Sequence, residues 1–387
     1  MTVFLEANPF ASRLHVLAPL VSGAVAAGHR SVVVVPQRPD GTDWSTFMEE
    51  VPESVEIIVV EHVRVAPGVM VNRKELLALL SVARRVFRRV HRKFLVFTAI
   101  DDYLSKMLWV ALFVRAWFQN VRVIAFRYRV DDLVLGTRFD VRIFAKQALF
   151  WFVRLLARPE WVIFDERVPL EEGMHIVPDP WSGPFESGRR ERSREALGWR
   201  RDDDIILLVG RQDARKGIDV AVEALDILQR HKPSMKVVLI GQVAVEYASY
   251  QHKLARNLGD RFVHVEHYVT DSDLATYFSA SSVVLLPYHS NFTATSGVLV
   301  RAAASGTPVV GSSHGLIGWR IRHYSLGETF EYPLYQTLAD QILRVLDAPF
   351  EESRALAFAD LSTPESLASR FEQILASESG GNARSAG

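Results

Sequence analysis

The fold is decided by residues 207–217, which read LLVGRQDARKG. They close an apolar run that begins at Ile205, and a run of this length and composition is typical of a buried strand. Gly210 then turns the chain, and the spacing of apolar residues over 217–231 predicts an amphipathic helix. A strand, a glycine turn and a helix in this order indicate one unit of a parallel α/β sheet.

The same alternation continues toward the C-terminus and recurs in the N-terminal half. Further C-terminal strands are predicted at Lys236–Ile240, Phe262–Val265, Val283–Leu286 and within Pro308–Gly311, with helices at Ala248–Leu258, Asp271–Ser279 and Ser296–Ser305. N-terminal strands are predicted at Val3–Leu5, Ser31–Val35, Val55–Val60, Phe94–Thr98, Val121–Phe126 and Trp161–Phe164. We therefore expect an α/β protein of two Rossmann-like, doubly wound domains that face each other across a cleft.

The domain boundary is predicted near residue 180, because Pro178–Arg201 contains three prolines and three glycines. We expect an N-terminal domain over residues 1–180 and a C-terminal domain over residues 181–365. A helix over residues 366–378 is predicted to pack back on the N-terminal domain. The tail, residues 379–387, consists mainly of small residues and is predicted to be disordered.

The composition excludes several classes of protein. Apolar residues make up 49% of the 387 residues and charged residues 23%, which is typical of a globular chain with a sizeable core. The 45 basic and 45 acidic residues balance, so a nucleic-acid-binding role has no support. The absence of cysteine excludes disulfides, thiolate metal sites and cysteine nucleophiles. We expect no signal peptide at Met1–Pro9, which lacks a basic start, and no membrane span at Tyr103–Phe118, which two cations interrupt.

Two basic residues lie at the edges of the loop after the first C-terminal strand. Arg211 and Lys216 can both reach one anion bound at the start of the following helix, where N–H groups and the helix dipole favour negative charge. The planar fork of an arginine and the mobile charge of a lysine suit a diphosphate. Two solvated surface cations explain the same spacing equally well.

A second candidate anion site is the stretch Thr293–Arg301, which follows the strand ending at Pro287. Its small residues let a ligand approach the backbone closely, and Ser296 is a suitable N-cap for a helix. For this stretch taken alone, an ordinary capped helix is the simpler interpretation.

Together these features resemble the retaining glycosyltransferases of family 4, which have the GT-B fold. The resemblance covers about residues 177–310 and is carried by Val177–Pro180, Arg194–Gly198, Gly210-Arg211, Lys216-Gly217, Val237–Gly241, Asp273-Leu274, Tyr277–Ala280, Val284–Pro287 and Ala303–Val310. It implies that Arg211 and Lys216 bind the phosphates of a nucleotide-sugar donor. The candidate donor-binding residues are Gly210, Arg211, Lys216, Gly241, Thr293, Thr295, Ser296, Gly297, Val298 and Arg301.

One departure from the family pattern concerns two positions that usually hold glutamates, one for the donor sugar and one for the ribose. These positions are Thr293 and Arg301 here. Arg301 could pair with an additional charge on the donor or acceptor, serve as a structural cation, or mark lost activity. The departure leaves the identity of the donor open.

On the N-terminal side, Asp101 and Asp102 follow the strand ending at Thr98. Arg129 follows the strand after which family members often place a histidine, and an acidic pair, Asp131-Asp132, comes next. We take Asp101 and Arg129 as candidate catalytic residues near the acceptor. For both acidic pairs, a helix cap or a loop anchor is the alternative role.

The predicted function is retaining sugar transfer from a nucleoside diphosphate sugar to a hydroxyl acceptor, a glycan or lipid-linked glycan. No metal site is predicted, because no acidic or histidine cluster has suitable spacing and Asp271 and Asp273 begin a helix, where aspartate is a cap. The donor is a co-substrate, and no further cofactor is expected. A nucleotide-sugar epimerase and a non-catalytic binding subunit with the same fold are the alternatives.

The basic segment 84–93 is a candidate membrane contact. Residues 76–94 are predicted to form a helix with one apolar face, and residues 84–93 carry six cations with no acidic residue after Glu75. A solvated helix face and docking on an anionic inner leaflet both explain this pattern. The second interpretation predicts a cytoplasmic protein held at the plasma membrane, with apolar help from Trp109–Phe118 and Phe144–Phe152.

Overall fold

The computed structural model describes residues 1–9, 12–38, 42–61, 63, 70–87, 93–128, 130, 141–177, 179–181, 183–267, 269–292 and 295–377. The chain divides into two compact units. The first unit combines Met1–Pro180 with Pro364–Gly387, and the second is Trp181–Thr363. The predicted tail, 379–387, lies outside the described residues.

The first unit contains a parallel sheet whose strands follow the order β3-β2-β1-β4-β5-β6-β7. These strands are β1 (Thr2–Leu5), β2 (Ser31–Val35), β3 (Glu56–Val59), β4 (Phe94–Phe97), β5 (Arg122–Arg127), β6 (Glu160–Ile163) and β7 (Met174–Ile176). The six predicted strands are all present. The seventh, β7, was not predicted, because its three residues lie half-buried at the sheet edge and include no continuous apolar run.

Helices cover both faces of this sheet. They are α1 (Ser12–Ala26), α2 (Thr42–Glu50), α3 (Arg73–Val86), α4 (Met107–Trp117), α5 (Val141–Ala157) and α14 (Pro364–Ala376). Because strand residues alternate between faces, Val3 and Leu5 pack with α3, α4 and α5, while Phe4 packs with α1, α2 and α14. The last helix joins the first unit through Leu367 and Phe371, whose ring centroid lies 5.9 Å from that of Phe4.

The basic helix predicted over residues 76–94 ends earlier in the structure. Helix α3 ends at Val86, and Phe94 begins β4 instead of ending a helix. The helical spacing of apolar residues therefore extended the prediction into a buried strand. Arg88, Arg89 and Arg92 lie outside the described residues.

The second unit contains a parallel sheet with the order β10-β9-β8-β11-β12-β13. Its strands are β8 (Ile205–Val209), β9 (Lys236–Ile240), β10 (Phe262–Val265), β11 (Val283–Leu286), β12 (Val309–Ser312) and β13 (Gly327–Phe330). Its helices are α6 (Arg190–Ala196), α7 (Ile218–His231), α8 (Ala248–Leu258), α9 (Asp271–Ala280), α10 (Gly297–Ala304), α11 (Gly315–His323), α12 (Tyr335–Asp347) and α13 (Glu352–Leu361). Leu207 packs with α9, α10, α11 and α13, and Leu208 packs with α7, α8 and α12.

Each sheet has a switch point, at which the direction of strand addition reverses. It lies between β1 and β4 in the first unit and between β8 and β11 in the second. In open α/β sheets, ligands bind at the carboxyl ends of the strands that flank this point. We therefore expect ligand-binding residues at these four strand ends.

Candidate functional site

In the second unit, two glycines bring the loops at the switch point close together. Gly217 precedes α7 with a φ of +66°, and an added Cβ would lie 1.8 Å from the carbonyl oxygen of Pro287. At Gly241, after β9, an added Cβ would lie 2.7 Å from the carbonyl oxygen of Gly210. Side chains at these two positions would separate the loops that follow β8, β9 and β11.

Lys216 joins the loop after β8 to the loop after β11. Its Nζ donates a hydrogen bond to Tyr288 Oη at 2.9 Å. Tyr288 Oη lies 3.1 Å from Ser296 Oγ, and Ser296 in turn accepts the N–H of Leu299 and caps α10. A positive charge, a hydroxyl group and the start of a helix therefore lie side by side, an arrangement that suits a phosphate.

The arginines of the loop after β8 differ in their pairing. Arg215 donates two hydrogen bonds to the Asp213 carboxylate, at 3.2 and 2.8 Å, and the guanidinium holds the pKa of that carboxyl below its usual range. Arg211 is exposed and forms no ion pair with any residue that the structure describes. The charge of Arg211 is therefore available to a ligand, whereas that of Arg215 is largely neutralised.

The loop after β11 is anchored on its other side by residues after β12. Ser312 Oγ donates to the carbonyl oxygen of Tyr288 at 2.6 Å, and His314 Nε2 lies 3.0 Å from the carbonyl oxygen of His289. That contact requires a proton on Nε2 of His314. Burial lowers the pKa of His314, so the ring is favoured in its neutral form and the loop is held by uncharged groups.

The first turn of α10 carries the departure from the expected glutamates. NH1 of Arg301 lies 2.9 Å from the position of a Cβ on Gly297, so the guanidinium runs back along this turn. Its central carbon also lies 5.4 Å from the ring centroid of Phe185. Thr295 and Val298 are half-buried beside this turn, whereas Thr293 lies outside the described residues.

In the first unit, the switch point contains a fully buried carboxyl group, Glu6, directly after β1. Glu6 Oε1 accepts the N–H of Asn8 at 2.7 Å, and Oε2 lies 2.7 Å from Thr98 Oγ1. Thr98 Oγ1 also lies 2.8 Å from the carbonyl oxygen of Leu5, and its single proton cannot serve both oxygens. A proton on Glu6 satisfies both contacts, and burial raises the pKa of Glu6 accordingly.

A second polar group of the first unit lies at the same strand ends. Arg13 NH2 donates to Asp102 Oδ1 at 3.3 Å, and the Arg13 guanidinium lies 4.0 Å from the ring centroid of Tyr128. Arg13 NH1, Asp102 Oδ2 and Tyr103 Oη are buried and have no hydrogen-bond partner in the described part of the chain. Buried polar atoms of this kind are typical of a site that a polar ligand or water completes.

The predicted catalytic candidates of the first unit are placed as follows. Asp101 Oδ2 accepts the backbone N–H of Tyr128 at 2.7 Å, which is the loop-anchoring role that the sequence left open. Arg129 and Asp131-Asp132 lie outside the described residues. Asp102 pairs with Arg13 through Oδ1, and its Oδ2 is buried without a hydrogen-bond partner in the described part of the chain.

Three residues of these switch points were missed by sequence reasoning: Tyr288, Glu6 and Arg13. Tyr288 and Glu6 lie just beyond the carboxyl ends of β11 and β1. The rule that selected Arg211, a polar residue at such a strand end, would also have selected them. Arg13 lies inside α1 and carries no local signal.

The structure also bears on the predicted metal and membrane features. Over the described residues, no three histidine, aspartate or glutamate side chains are grouped so that they could hold a metal ion. The sequence predicted an aspartate, Asp271 or Asp273, as the cap of α9. The cap is instead Thr270, whose Oγ1 accepts the N–H of Asp273. Within the same part of the chain, none of the helices is both long and apolar enough to span a bilayer.

Comparison with known proteins agrees with this architecture. The fold is GT-B. HepE of Anabaena, solved in complex with UDP, superposes with a TM-score of 0.67 and 15% identity over 97% of this chain and 100% of that one. WaaG, a glycosyltransferase involved in lipopolysaccharide biosynthesis, superposes with a TM-score of 0.59 and 16% identity over 98% of this chain and 100% of that one.

At the level of sequence, residues 189–358 match the family model of glycosyl transferases group 1. A D-inositol 3-phosphate glycosyltransferase of Frankia alni is 30% identical over 183 residues, which are 45% of this chain and 44% of that protein. An uncharacterized glycosyltransferase of Methanocaldococcus jannaschii is 32% identical over 149 residues, 38% of this chain and 37% of that protein. The chain thus matches less than half of the length of these curated relatives.

Proposed function

We propose that this protein transfers a sugar from a nucleoside diphosphate sugar to a hydroxyl acceptor, with retention of anomeric configuration and without a metal ion. The observation that carries the proposal is the hydrogen-bonded series Lys216, Tyr288 and Ser296 at the β8–β11 switch point. The family match over residues 189–358, and the fold shared with a UDP-bound protein, support a nucleotide-sugar donor in the second unit.

The catalytic contribution of this site would be electrostatic. As the bond to the sugar breaks, negative charge develops on the leaving diphosphate, and preorganised positive groups stabilise it. Lys216 supplies charge, and so does Arg211, which has no ion pair among the described residues. The side chain of Ser296 accepts a hydrogen bond from the N–H of Leu299. The N–H groups that precede Leu299 in α10 therefore remain available to phosphate oxygens.

The acceptor would bind in the first unit, beside Arg13 and Asp102. Asp102 Oδ2 is an acceptor and Arg13 NH1 a donor, and both are buried without a partner in the described part of the chain. Hydroxyl groups of a glycan or lipid-linked glycan match such a pair, because each hydroxyl both donates and accepts.

The deciding experiment is isothermal titration with UDP, GDP and dTDP, followed by hydrolysis and transfer assays with the sugar nucleotides of the base that binds. Saturable binding of one nucleotide and release of that nucleotide from its sugar donor are expected. Failure of all three nucleotides to bind would refute the donor site. Interconversion of the bound sugar without transfer would show an epimerase.

A non-catalytic binding subunit is the second candidate, because Arg301 occupies a position that usually holds a glutamate. If the protein is such a subunit, it binds the nucleotide but does not cleave the bond between the nucleotide and the sugar of a donor. Introducing the missing carboxylate, Arg301→Glu, would not then produce turnover.

We also propose that the protein works at the cytoplasmic face of the plasma membrane, held in part by the basic segment 84–93. Arg84 and Arg85 lie in the last turn of α3, and Lys93 precedes β4. Each basic residue near an anionic surface contributes about 1 kcal/mol, an attraction that salt screens. Changing Arg84 and Arg85 to glutamine should weaken sedimentation with anionic liposomes at low salt. Unchanged sedimentation would refute this role.

A further inference from the structure

Exposed apolar side chains are concentrated on one surface of the first unit. Helices α4 and α5 pack against each other, and seven of their large apolar side chains are 37–63% exposed. They are Leu108, Trp109, Leu112, Phe144, Trp151, Phe152 and Leu155. These seven are half of the 14 large apolar side chains that are exposed in the described residues, and the two helices that carry them are packed neighbours. We call this surface the α4–α5 face.

The α4–α5 face is a second apolar face on helices that already bury a first one. In α5, Phe150 and Val153 are in the core, while Phe144 and Trp151 point away from it, 62% and 63% exposed. Large apolar side chains that are exposed together on the outward side of a helix normally mark a surface that another protein or a membrane covers. The outward faces of α4 and α5 therefore need a covering partner.

Arginines and tryptophans border this face on the side of α3. Trp109, Phe113 and Trp117 form a row along α4, with successive ring centroids 5.8 and 5.1 Å apart. The guanidinium of Arg73 lies 3.7 Å from the ring centroid of Trp109, and that of Arg84 lies 5.1 Å from the ring centroid of Trp117. Tryptophan with arginine is the combination found where a protein meets the headgroup level of a bilayer.

Charge distinguishes a bilayer from a second copy of the chain as the partner. The segments of α4 and α5, MLWVALFVRAW and VRIFAKQALFWFVRLLA, contain no acidic residue and four basic ones. One of the four, Arg154, pairs with Glu171 outside these helices, so its charge is largely neutralised. Arg115 of α4 is exposed, and Arg73 and Arg84 add positive charge at the border of the face. A symmetric dimer through this face would bring these cations toward one another without carboxylates from the same helices. Anionic headgroups complement these cations, and the acyl chains beneath the headgroups complement the apolar side chains.

We propose that the α4–α5 face binds the surface of an anionic bilayer, with Phe144, Trp151 and Leu155 inserted among the lipids. The proposal deepens the proposed function, because a lipid-linked acceptor is presented at such a surface. It differs from docking through the basic segment, since apolar insertion persists when salt screens the surface charge.

The test compares vesicles of phosphatidylcholine alone with vesicles that also contain phosphatidylglycerol, at low and high salt, by co-sedimentation of the full chain. The test variant changes Phe144 and Trp151 to serine. The matched control changes Leu334 and Tyr335, an exposed apolar pair of the second unit that is 50% and 47% exposed, to serine. Thermal unfolding and nucleotide binding are measured for all three proteins.

The wild type should sediment with anionic vesicles and keep part of this binding at high salt. The test variant should lose at least about tenfold in vesicle partition, and the control should lose none, with unfolding temperature and nucleotide affinity unchanged in both. Wild-type partition of the test variant would overturn the proposal. So would a concentration-dependent dimer that the same two changes abolish, because a second copy would then cover the face. Vesicle binding without nucleotide binding would refute the proposed function and leave this inference standing.

Discussion

Replacing Lys216 with methionine removes one charge from the candidate donor site and keeps most of the side-chain volume. The ammonium group donates to Tyr288 Oη at 2.9 Å, and its remaining donors are available to phosphate oxygens. A hydrogen bond to a charged group contributes about 1.5–3 kcal/mol, which corresponds to about a 10- to 150-fold weaker affinity for the nucleoside diphosphate. Isothermal titration with the nucleotide that the wild type binds measures this loss directly.

Arg215→Met is the matched control for this prediction. Arg215 lies in the same loop and carries the same charge, but it is paired with Asp213 at 2.8 Å and its side chain is 59% exposed. Its removal should therefore cost less than about 1 kcal/mol of binding free energy. Tyr288 keeps Ser296 as a partner at 3.1 Å, so Lys216→Met should unfold close to the wild-type temperature. Equal losses in the two variants, or no loss for Lys216→Met, would refute the assignment of Lys216 to the phosphates.

Four further predictions concern other parts of the molecule. Arg211→Ala should weaken nucleotide binding by about 10- to 150-fold and leave the unfolding temperature unchanged, since Arg211 has no ion pair among the described residues. Arg301→Glu should lower affinity for the native donor if the guanidinium faces the ligand, and should lower only the unfolding temperature if its contact with Phe185 is structural. Transfer activity should survive EDTA, and a loss restored by magnesium or manganese would contradict the proposed mechanism. Glu6→Gln should raise the unfolding temperature at neutral pH. Burial raises the pKa of Glu6, so the wild type loses stability as pH rises above 4.5, the ordinary value, and the two proteins should converge below it.

Most strands and helices of the second unit were predictable because their signals are local. Apolar runs such as Ile205–Val209 end at glycine or proline, and five of the predicted strands or helices there match the structure at both ends. The missed β13, Gly327–Phe330, is only partly buried at the sheet edge and mixes polar with apolar residues. Its position depends on pairing with β12, which no local pattern encodes.

The candidate site was predictable to a similar degree. Arg211 and Lys216 follow a strand and precede a helix, and this order alone places them at the carboxyl edge of a parallel sheet. Position in the loop alone does not distinguish Arg211 from Arg215, and the resemblance to family 4 is what selected Arg211. The structure adds an independent reason, the ion pair between Arg215 and Asp213, which depends on the conformation of the loop.

Residue order along the chain therefore determined the α/β class, the strand ends and the cations of the donor loop, because each follows from neighbours within a few positions. The hydrogen-bonded pairs of the two switch points join residues far apart in sequence. Lys216 and Tyr288 are 72 positions apart, Arg13 and Asp102 are 89, and Glu6 and Thr98 are 92. Only the folded sheets bring these side chains within hydrogen-bond distance. Folding likewise leaves one apolar face of α4 and α5 uncovered, because helical periodicity identifies an apolar face but not what packs against it.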